Sequence, residues 1–427
     1  MHEYKVPECF KAEVEKQLNE MLASGIITES NTPMASPLVV VQKLGPAGEF
    51  RGLRLAVNYR YVNSYTVSDA FPVPDIEDVV QRVGSKRYLT TFDYKSGYWQ
   101  TCVAETCKYL TGCCCLGRLF QFERTAFGMK NSNATFLRNL QIVLRPIVFC
   151  TDSYVDDCAT MSDSWRDHLS HIELFLSTML REGVTLNLSK STFAQSSLRF
   201  CGEIIGSGLR RPDPDKVAAV HRMQPPQTKK QLRGILGFFS YFRKFIPNFA
   251  AKAKPLTDLT SKRVPQNIQS LWTAEHTVVL VQLKADLIQA CNHPLHTVKF
   301  DRPFDIYVDA SASHVGGILV QADDQGVEYP VAFFSNKLTP TQRNWATIER
   351  EAYAVLQAVK KYKQWICNTK VTVHSDHNPL TFLTSTAPKS AKLMRWSLAL
   401  AEFNLEFKYR SGKSNIPADT LSRPGPE

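Results

Sequence analysis

The stretch Ser153-Tyr154-Val155-Asp156-Asp157 sets two adjacent carboxylates between an apolar run, Ile147-Val148-Phe149-Cys150, and a half-apolar one, Cys158-Ala159-Thr160-Met161. Two β-like runs around a tight polar junction predict a hairpin with both acids at its tip. The carboxylates repel each other, and solvent, a basic partner or a metal ion must relieve them. Asp-Asp is also ordinary chemistry for an exposed turn, so these residues alone leave a solvated turn and a metal site both open. A third acid, Asp93, ends the strand-like run Arg87-Tyr88-Leu89-Thr90-Thr91-Phe92. Phosphoryl transfer with two metal ions needs several carboxylates around a pair of Mg2+ about 3.5–4 Å apart. Mg2+ prefers oxygen ligands, usually one or two carboxylates plus substrate phosphate. Adjacent strands lie about 4.8 Å apart, so the three acids meet on one edge if the Asp93 strand neighbours the hairpin.

Elements that position these acids follow from periodicity. Val14, Leu18, Met21, Leu22 and Ile26 recur at helical spacing, with the helix ending near Gly25. Residues 37–43 and 53–59 read as an antiparallel pair projecting a basic face with Arg54, and Arg60 at its end; 65–74 is a connecting loop and 75–83 a helix. Strand-like runs occupy 101–123, helices 131–144 and 165–182, and a short hairpin 200–205. Residues 228–245 read as a helix rich in Lys, Arg and aromatics; its Phe238, Phe239, Tyr241 and Phe242 fit a nucleic-acid grip or plain core packing. A helix at 273–289 follows. A new unit opens with the strand 304–309, which carries Asp309. Further strands are expected at 318–321 (started by Gly316-Gly317), 331–335, 371–375 and 405–409, with helices at 347–363 and 392–401. Alternation of this kind predicts an α+β multidomain chain with helices on one side of each sheet.

At 427 residues the chain is long enough for several domains. No apolar run is long enough for a transmembrane helix, and the N-terminus lacks the apolar core of a signal peptide. Lys and Arg outnumber Asp and Glu by 51 to 40, a net charge of +11. That excess suits a polyanionic partner. The 11 cysteines show no paired CxxC spacing. Cys113-Cys114-Cys115 would alternate faces and cannot form one metal site, so a reduced, intracellular protein is expected. His168 and His171 sit three apart beside Asp167 and offer zinc-like spacing, but without a second pair a solvated helix face is the expectation.

Three clusters then resemble one family. Phe92-Asp93 with Ser96-Gly97-Tyr98, Phe127-Gly128-Met129-Lys130-Asn131 with Ala134-Thr135-Phe136, and Tyr154-Val155-Asp156-Asp157 resemble the palm of reverse transcriptases, most closely those of Gypsy-type long-terminal-repeat retrotransposons. Residues 23–27, 35–41 and 54–60 are similar to the fingers, and 238–249 to the thumb signature. The resemblance implies a right-hand polymerase of fingers, palm and thumb followed by an α/β ribonuclease H-like domain. The implied division is 1–205 fingers and palm, 206–265 thumb, 266–300 tether or connection, and 301–427 ribonuclease H-like domain. It further implies that Asp93, Asp156 and Asp157 hold the polymerase metals. Lys43, Arg54 and Arg60 would meet the incoming triphosphate. Tyr98 would be the steric gate against a ribose 2′-hydroxyl, Phe127 would line the nucleotide pocket, and Gly202 would fall in the primer-grip hairpin.

Four further acids, Asp309, Glu351, Asp376 and Asp419, resemble the same family's ribonuclease H quartet in order and spacing, with Glu349 competing for the place of Glu351. The implied function is RNA- and DNA-directed DNA synthesis plus cleavage of RNA in RNA–DNA hybrids, with two Mg2+ per site and Mn2+ as the alternative. The implied partners are an RNA template, a DNA primer, the hybrid and dNTPs, with a dimer as a candidate assembly, in a cytoplasmic particle or the nucleus. The alternative is a decayed or domesticated copy that only binds nucleic acid. Asn58 stands where the family usually has Asp, Asn133 replaces a proline, and Thr125-Ala126 replaces Met-Pro. Any loss of activity is therefore expected to originate in the fingers. Protease, CCHC and integrase motifs are absent, so a segment of a larger polyprotein or a remnant is expected.

Overall fold

The computed structural model describes residues 3–44, 49–376 and 390–409. They form two compact units, one from the residues up to Val83 with Tyr88–Leu198, the other from Gly84–Arg87 and the chain from Arg199 onward.

In the first unit, one sheet runs in the order Ile27–Glu29, Arg118–Phe122, Cys113–Cys115, Ser36–Leu44, Phe50–Val57. The helix Lys11–Ala23 buries Val14, Leu18 and Met21 in a core with Ile27, Leu38, Leu53 and Phe120. It stops where Gly25 takes a φ of +63°. The Gly25 and Ile26 amides then donate to the Leu22 and Met21 carbonyls, the paired bonds of a glycine-terminated helix. Cys113 and Cys115 are buried and Cys114 is half-exposed, alternating as a strand requires.

A second sheet carries the first acid set, in the order Thr151–Tyr154, Asp157–Ser162, Tyr88–Asp93, Thr192–Gln195. Phe136, Leu140 and Leu144 of the helix Ser132–Leu144, and Phe175 and Met179 of the helix Trp165–Arg181, share a core with Phe92 of this sheet. Two expectations are corrected here. The run 147–150 is not a strand. Pro146, with φ preset and no N–H to give to a ladder, extends the preceding helix as a 3₁₀ turn, Arg145–Ile147, and Val148 and Phe149 stand exposed. His168 does not lie on a solvated face either. It is fully buried, with Nε2 2.9 Å from Thr90 Oγ1 and Nδ1 3.0 Å from Ser162 Oγ. The strands beneath the helix present hydroxyls there, which satisfy a buried imidazole. Burial, and then His171, lowers the His168 pKa and keeps the ring neutral.

In the second unit, Leu198–Phe200, Glu203–Gly206, Leu209–Pro212 and Leu295–His296 make a four-stranded sheet. The turn at Cys201-Gly202 has φ of +47° and +80°. Arg210, only 1% exposed, pairs with the buried Glu203 at 2.9 Å, and Lys244 approaches the same carboxylate at 2.6 Å. The helices Lys229–Tyr241 and Ala274–Asn292 pack Leu232, Phe239, Phe242, Leu280, Leu283 and Leu287 into one core. Thr228 and Gln231 form a capping box that starts the first of these.

The last sheet is ordered Glu328–Lys337, His314–Ala322, Phe304–Ala310, Lys370–Ser375, Asn404–Tyr409, antiparallel across the first three strands and parallel across the rest. The helix Thr347–Ile366 buries Ala352, Val355, Leu356, Val359 and Tyr362 in the core it shares with this sheet. Gly316-Gly317 lies inside the second strand rather than at its start. A Cβ on Gly317 would stand 2.5 Å from the Phe334 ring and 2.9 Å from the Tyr307 carbonyl, so the site admits only glycine.

Candidate active sites

Asp93 and Asp157 face each other directly in the register of Tyr88–Asp93 against Asp157–Ser162. Tyr154 pairs with Asp157 across the hairpin, which leaves Val155-Asp156 as a two-residue loop. Val155 holds a φ of +54° there. A β-branched residue in that region costs on the order of 1–3 kcal/mol, which the rest of the hairpin must hold in place. Desolvation, then Asp157, then Asp93, raises the pKa of Asp156. Crowding that raises a carboxyl in this way fits a cation bound among the three oxygen donors. Lys190 Nζ lies 3.8 Å from Asp93 Oδ2. Nothing in its spacing marks that lysine; the contact arises because Asn187 N donates to the Asp93 carbonyl at 2.7 Å and brings the turn alongside.

A cleft of about 930 Å³ has a lining that includes Lys43, Arg54, Lys95, Trp99, Arg124 and Phe127; Lys95 follows Asp93 by two residues, and none of the three acids lines it. Arg54 Cζ stands 5.4 Å from the Phe127 ring centroid. Tyr98 packs edge-on against Phe127 at 4.9 Å and Phe136 at 5.5 Å, and burial, then Asp156, raises its phenol pKa. Lys43, Arg54 and Phe127 thus share one cleft, with Tyr98 against its wall. Arg60 is not among the lining residues; instead of ending the strand it opens the short helix Arg60–Tyr65. Asn58 Nδ2 donates to Tyr4 Oη at 3.0 Å, and its Oδ1 accepts from Arg60 N at 3.3 Å. Gly202 occupies the left-handed turn described above.

The second acid set is tighter. Among the described residues, Asp309, Glu351 and Asp376 are the set of possible metal ligands whose donor atoms all lie within 4.8 Å of one another; Asp93, Asp156 and Asp157 are not drawn together that closely. Asp309 comes from the strand Phe304–Ala310, Glu351 from the first turns of Thr347–Ile366, and Asp376 follows Lys370–Ser375. Burial, then Asp309 and Asp376, pushes the Glu351 pKa up to about 9. Its Oε2 is buried with no hydrogen-bond partner. An orphaned carboxylate oxygen among hard oxygen donors fits a divalent cation. Glu349 takes no part, since Lys392 Nζ holds it at 3.0 Å. Asp419 lies outside the described residues.

Two family models match this chain. Residues 41–205 match the family model described as reverse transcriptase (RNA-dependent DNA polymerase), and residues 299–403 match the RNase H-like domain found in reverse transcriptase. The Pol polyprotein from the Drosophila melanogaster transposon opus is 36% identical over 99% of the chain and 43% of its own length. The chain carries a reverse transcriptase domain followed by an RNase H-like domain, and is similar to gypsy-type retrotransposon Pol polyproteins. The corresponding polyprotein of the Drosophila transposon gypsy is 32% identical over 96% of the chain and 40% of its length. That of the fission-yeast transposon Tf2-3 (Schizosaccharomyces pombe) is 28% identical over 98% and 31%. The chain therefore spans less than half the length of these curated relatives.

Solved foamy viral protease-reverse transcriptases have the same fold. One in complex with double-stranded DNA aligns with a TM-score of 0.84 at 23% identity, covering 96% of the chain and 71% of that chain. One in complex with an RNA/DNA hybrid aligns at 0.77 and 23%, covering 96% and 55%. The expected right-hand polymerase followed by an RNase H-like domain is borne out. Among the described residues no helix is long and apolar enough to cross a membrane.

Proposed function

We propose that the chain copies RNA, and then DNA, into DNA and cleaves the RNA of the resulting hybrid, each reaction at its own acid set. Asp93 opposite Asp157 in register, two residues before Lys95 of a cationic cleft, is the observation that carries the polymerase reading. Asp93, Asp156 and Asp157 would hold a divalent pair, best supplied by Mg2+, that stabilises charge on the attacking and leaving oxygens. Lys43 and Arg54 neutralise the triphosphate in the cleft, and Phe127 forms an apolar wall for the nucleotide. Tyr98, braced by Phe127 and Phe136, occupies the room a 2′-hydroxyl would need. Arg60 acts only from outside the cleft, by field rather than contact. In this reading the primer 3′ oxygen bonds to the α-phosphorus, and the bond to pyrophosphate breaks.

At the second set, Asp309, Glu351 and Asp376 would hold the same class of ion, with Asp419 as a fourth ligand. There a water oxygen bonds to an RNA phosphorus, and the ribose 3′ oxygen leaves. Glu351 must lose the proton its burial favours before it can serve as a ligand. The basic surplus supports contact with template, primer and hybrid backbones, and binding should weaken steeply with salt.

Primer extension on an RNA template and cleavage of a labelled hybrid, both with Mg2+, test the reading in one preparation. Asp156→Asn should lower extension by at least about 100-fold while sparing cleavage, and Asp376→Asn should do the reverse. Extension that survives Asp156→Asn removes the polymerase assignment. Hybrid binding with neither activity would leave the binding-only alternative.

A further inference from the structure

Residues 238–249 combine aromatics with Arg243 and Lys244, a composition that suits a grip on nucleic acid. The contacts of this segment point inward. The Tyr241 hydroxyl donates to the Cys201 carbonyl at the turn of the 198–206 hairpin. Lys244 reaches Glu203 of the same hairpin at 2.6 Å. Arg243 lies between them in sequence and turns the other way. Its Nη2 donates to the Ser335 carbonyl and, at 3.2 Å, to Asn336 Oδ1, while Cζ sits 5.8 Å from the Phe249 ring centroid. The Ala250 amide donates to Ser335 Oγ at 2.8 Å, and Lys337 pairs with Asp258.

The point of attachment matters. Ser335 pairs in register with Gly316, and Gly316 with Asp309. Arg243 therefore grips the cross-strand row that carries the first acid of the nuclease set, two strand spacings, about 10 Å, from it. Hydrogen-bonded strands move together, so a displacement at Ser335 is passed to Asp309.

We propose that residues 241–245 are a docking junction that ties the 198–206 hairpin to the RNase H-like sheet, with Arg243 as the positioning residue that sets where the nuclease cuts. The inference rests on the functional reading above and adds a positioning contact to its nuclease part. Losing a hydrogen bond of this kind shifts a docking equilibrium about fivefold.

The test compares Arg243→Ala, Asn336→Ala and the double variant in the full chain. Cut positions on a 5′-labelled RNA–DNA hybrid, measured from the primer 3′ end, should shift or broaden in both single variants, and the double should add little. Extension on a DNA template should stay within about twofold of wild type. Asn336 carries no charge, so its substitution should leave the salt slope of hybrid binding unchanged. Unchanged cut positions overturn the proposal. So does an effect confined to Arg243→Ala with a salt slope lowered by about 1, the mark of a phosphate contact. Amide exchange in residues 243–253 and 328–337 gives an arm that needs no catalysis: it should quicken about fivefold in both variants. Unchanged exchange overturns the docking. A wild-type chain that neither extends nor cuts would defeat the functional reading, and the exchange arm would still decide the junction.

Discussion

At the scale of single residues, the proposed sugar gate depends on how firmly one ring is held. A Cβ on Gly97 would meet the Phe136 ring at 2.9 Å, so the 3₁₀ turn Gly97–Gln100 sits hard against the helix below and fixes Tyr98 between Phe127 and Phe136. Tyr98→Ala should raise ribonucleotide incorporation about tenfold or more, and Tyr98→Phe should leave it unchanged. Paired incorporation assays with dATP and ATP check this; unaltered selectivity in the alanine variant would remove Tyr98 as the gate. Residue identity was informative wherever an acid closed a recognisable strand, as with Asp93, Asp309 and Asp376. It was silent on Lys190, whose place beside Asp93 depends on a turn that folds back from far along the chain. It misled on His168, because helical period gives the spacing of a face and not what covers it. Hydroxyls from two strands cover that face.

At the scale of elements, long periodic helices and apolar strands were legible to within a few residues. The short helix Arg60–Tyr65 and the true first strand of the acid hairpin, Thr151–Tyr154, were not. The first is too short for periodicity to register, and the second is mostly polar and only part-buried while its exposed neighbours Val148 and Phe149 are apolar. The strand His314–Ala322 adds a pH dependence that no pattern reveals. His314 begins it, 3% exposed, with Nδ1 2.9 Å from Ser313 Oγ and Nε2 lacking a partner. Burial, then Lys337, Arg343 and Lys254, against Asp258, lowers its pKa to about 4. The unfolded chain, with an ordinary imidazole, binds this proton more readily than the folded one. Stability from the neutral ring is therefore full above about pH 6.5 and is lost as pH falls toward 4. Between pH 7 and pH 5 the loss should be about 2 kcal/mol, and His314→Gln should flatten that limb. Urea unfolding of both proteins across this range decides it; parallel acid limbs would assign the slope elsewhere.

At the scale of the whole molecule, two matched domains suggest a division between polymerase and nuclease, whereas the second unit ties its helices to the last sheet. Phe333, on the sheet's edge strand, packs partly into the helical core of Phe239, Phe242 and Leu283. The Arg243, Ala250 and Lys337 contacts close the same edge. An apolar contact reinforced by hydrogen bonds across one seam favours cooperative unfolding, because opening it exposes both faces at once. In hydrogen exchange followed through the thermal unfolding of the intact chain, residues of the helices 229–241 and 274–292 should lose protection in the same transition as the sheet strands 304–322. A fragment beginning near residue 299 should melt lower by a few degrees, since a deficit of about 1 kcal/mol moves the midpoint of a domain this size by roughly 3–5 °C. Separate transitions in the intact chain, with a fragment melting at the sheet's own temperature, would mean that the seam carries no stability and that the nuclease folds as an independent body.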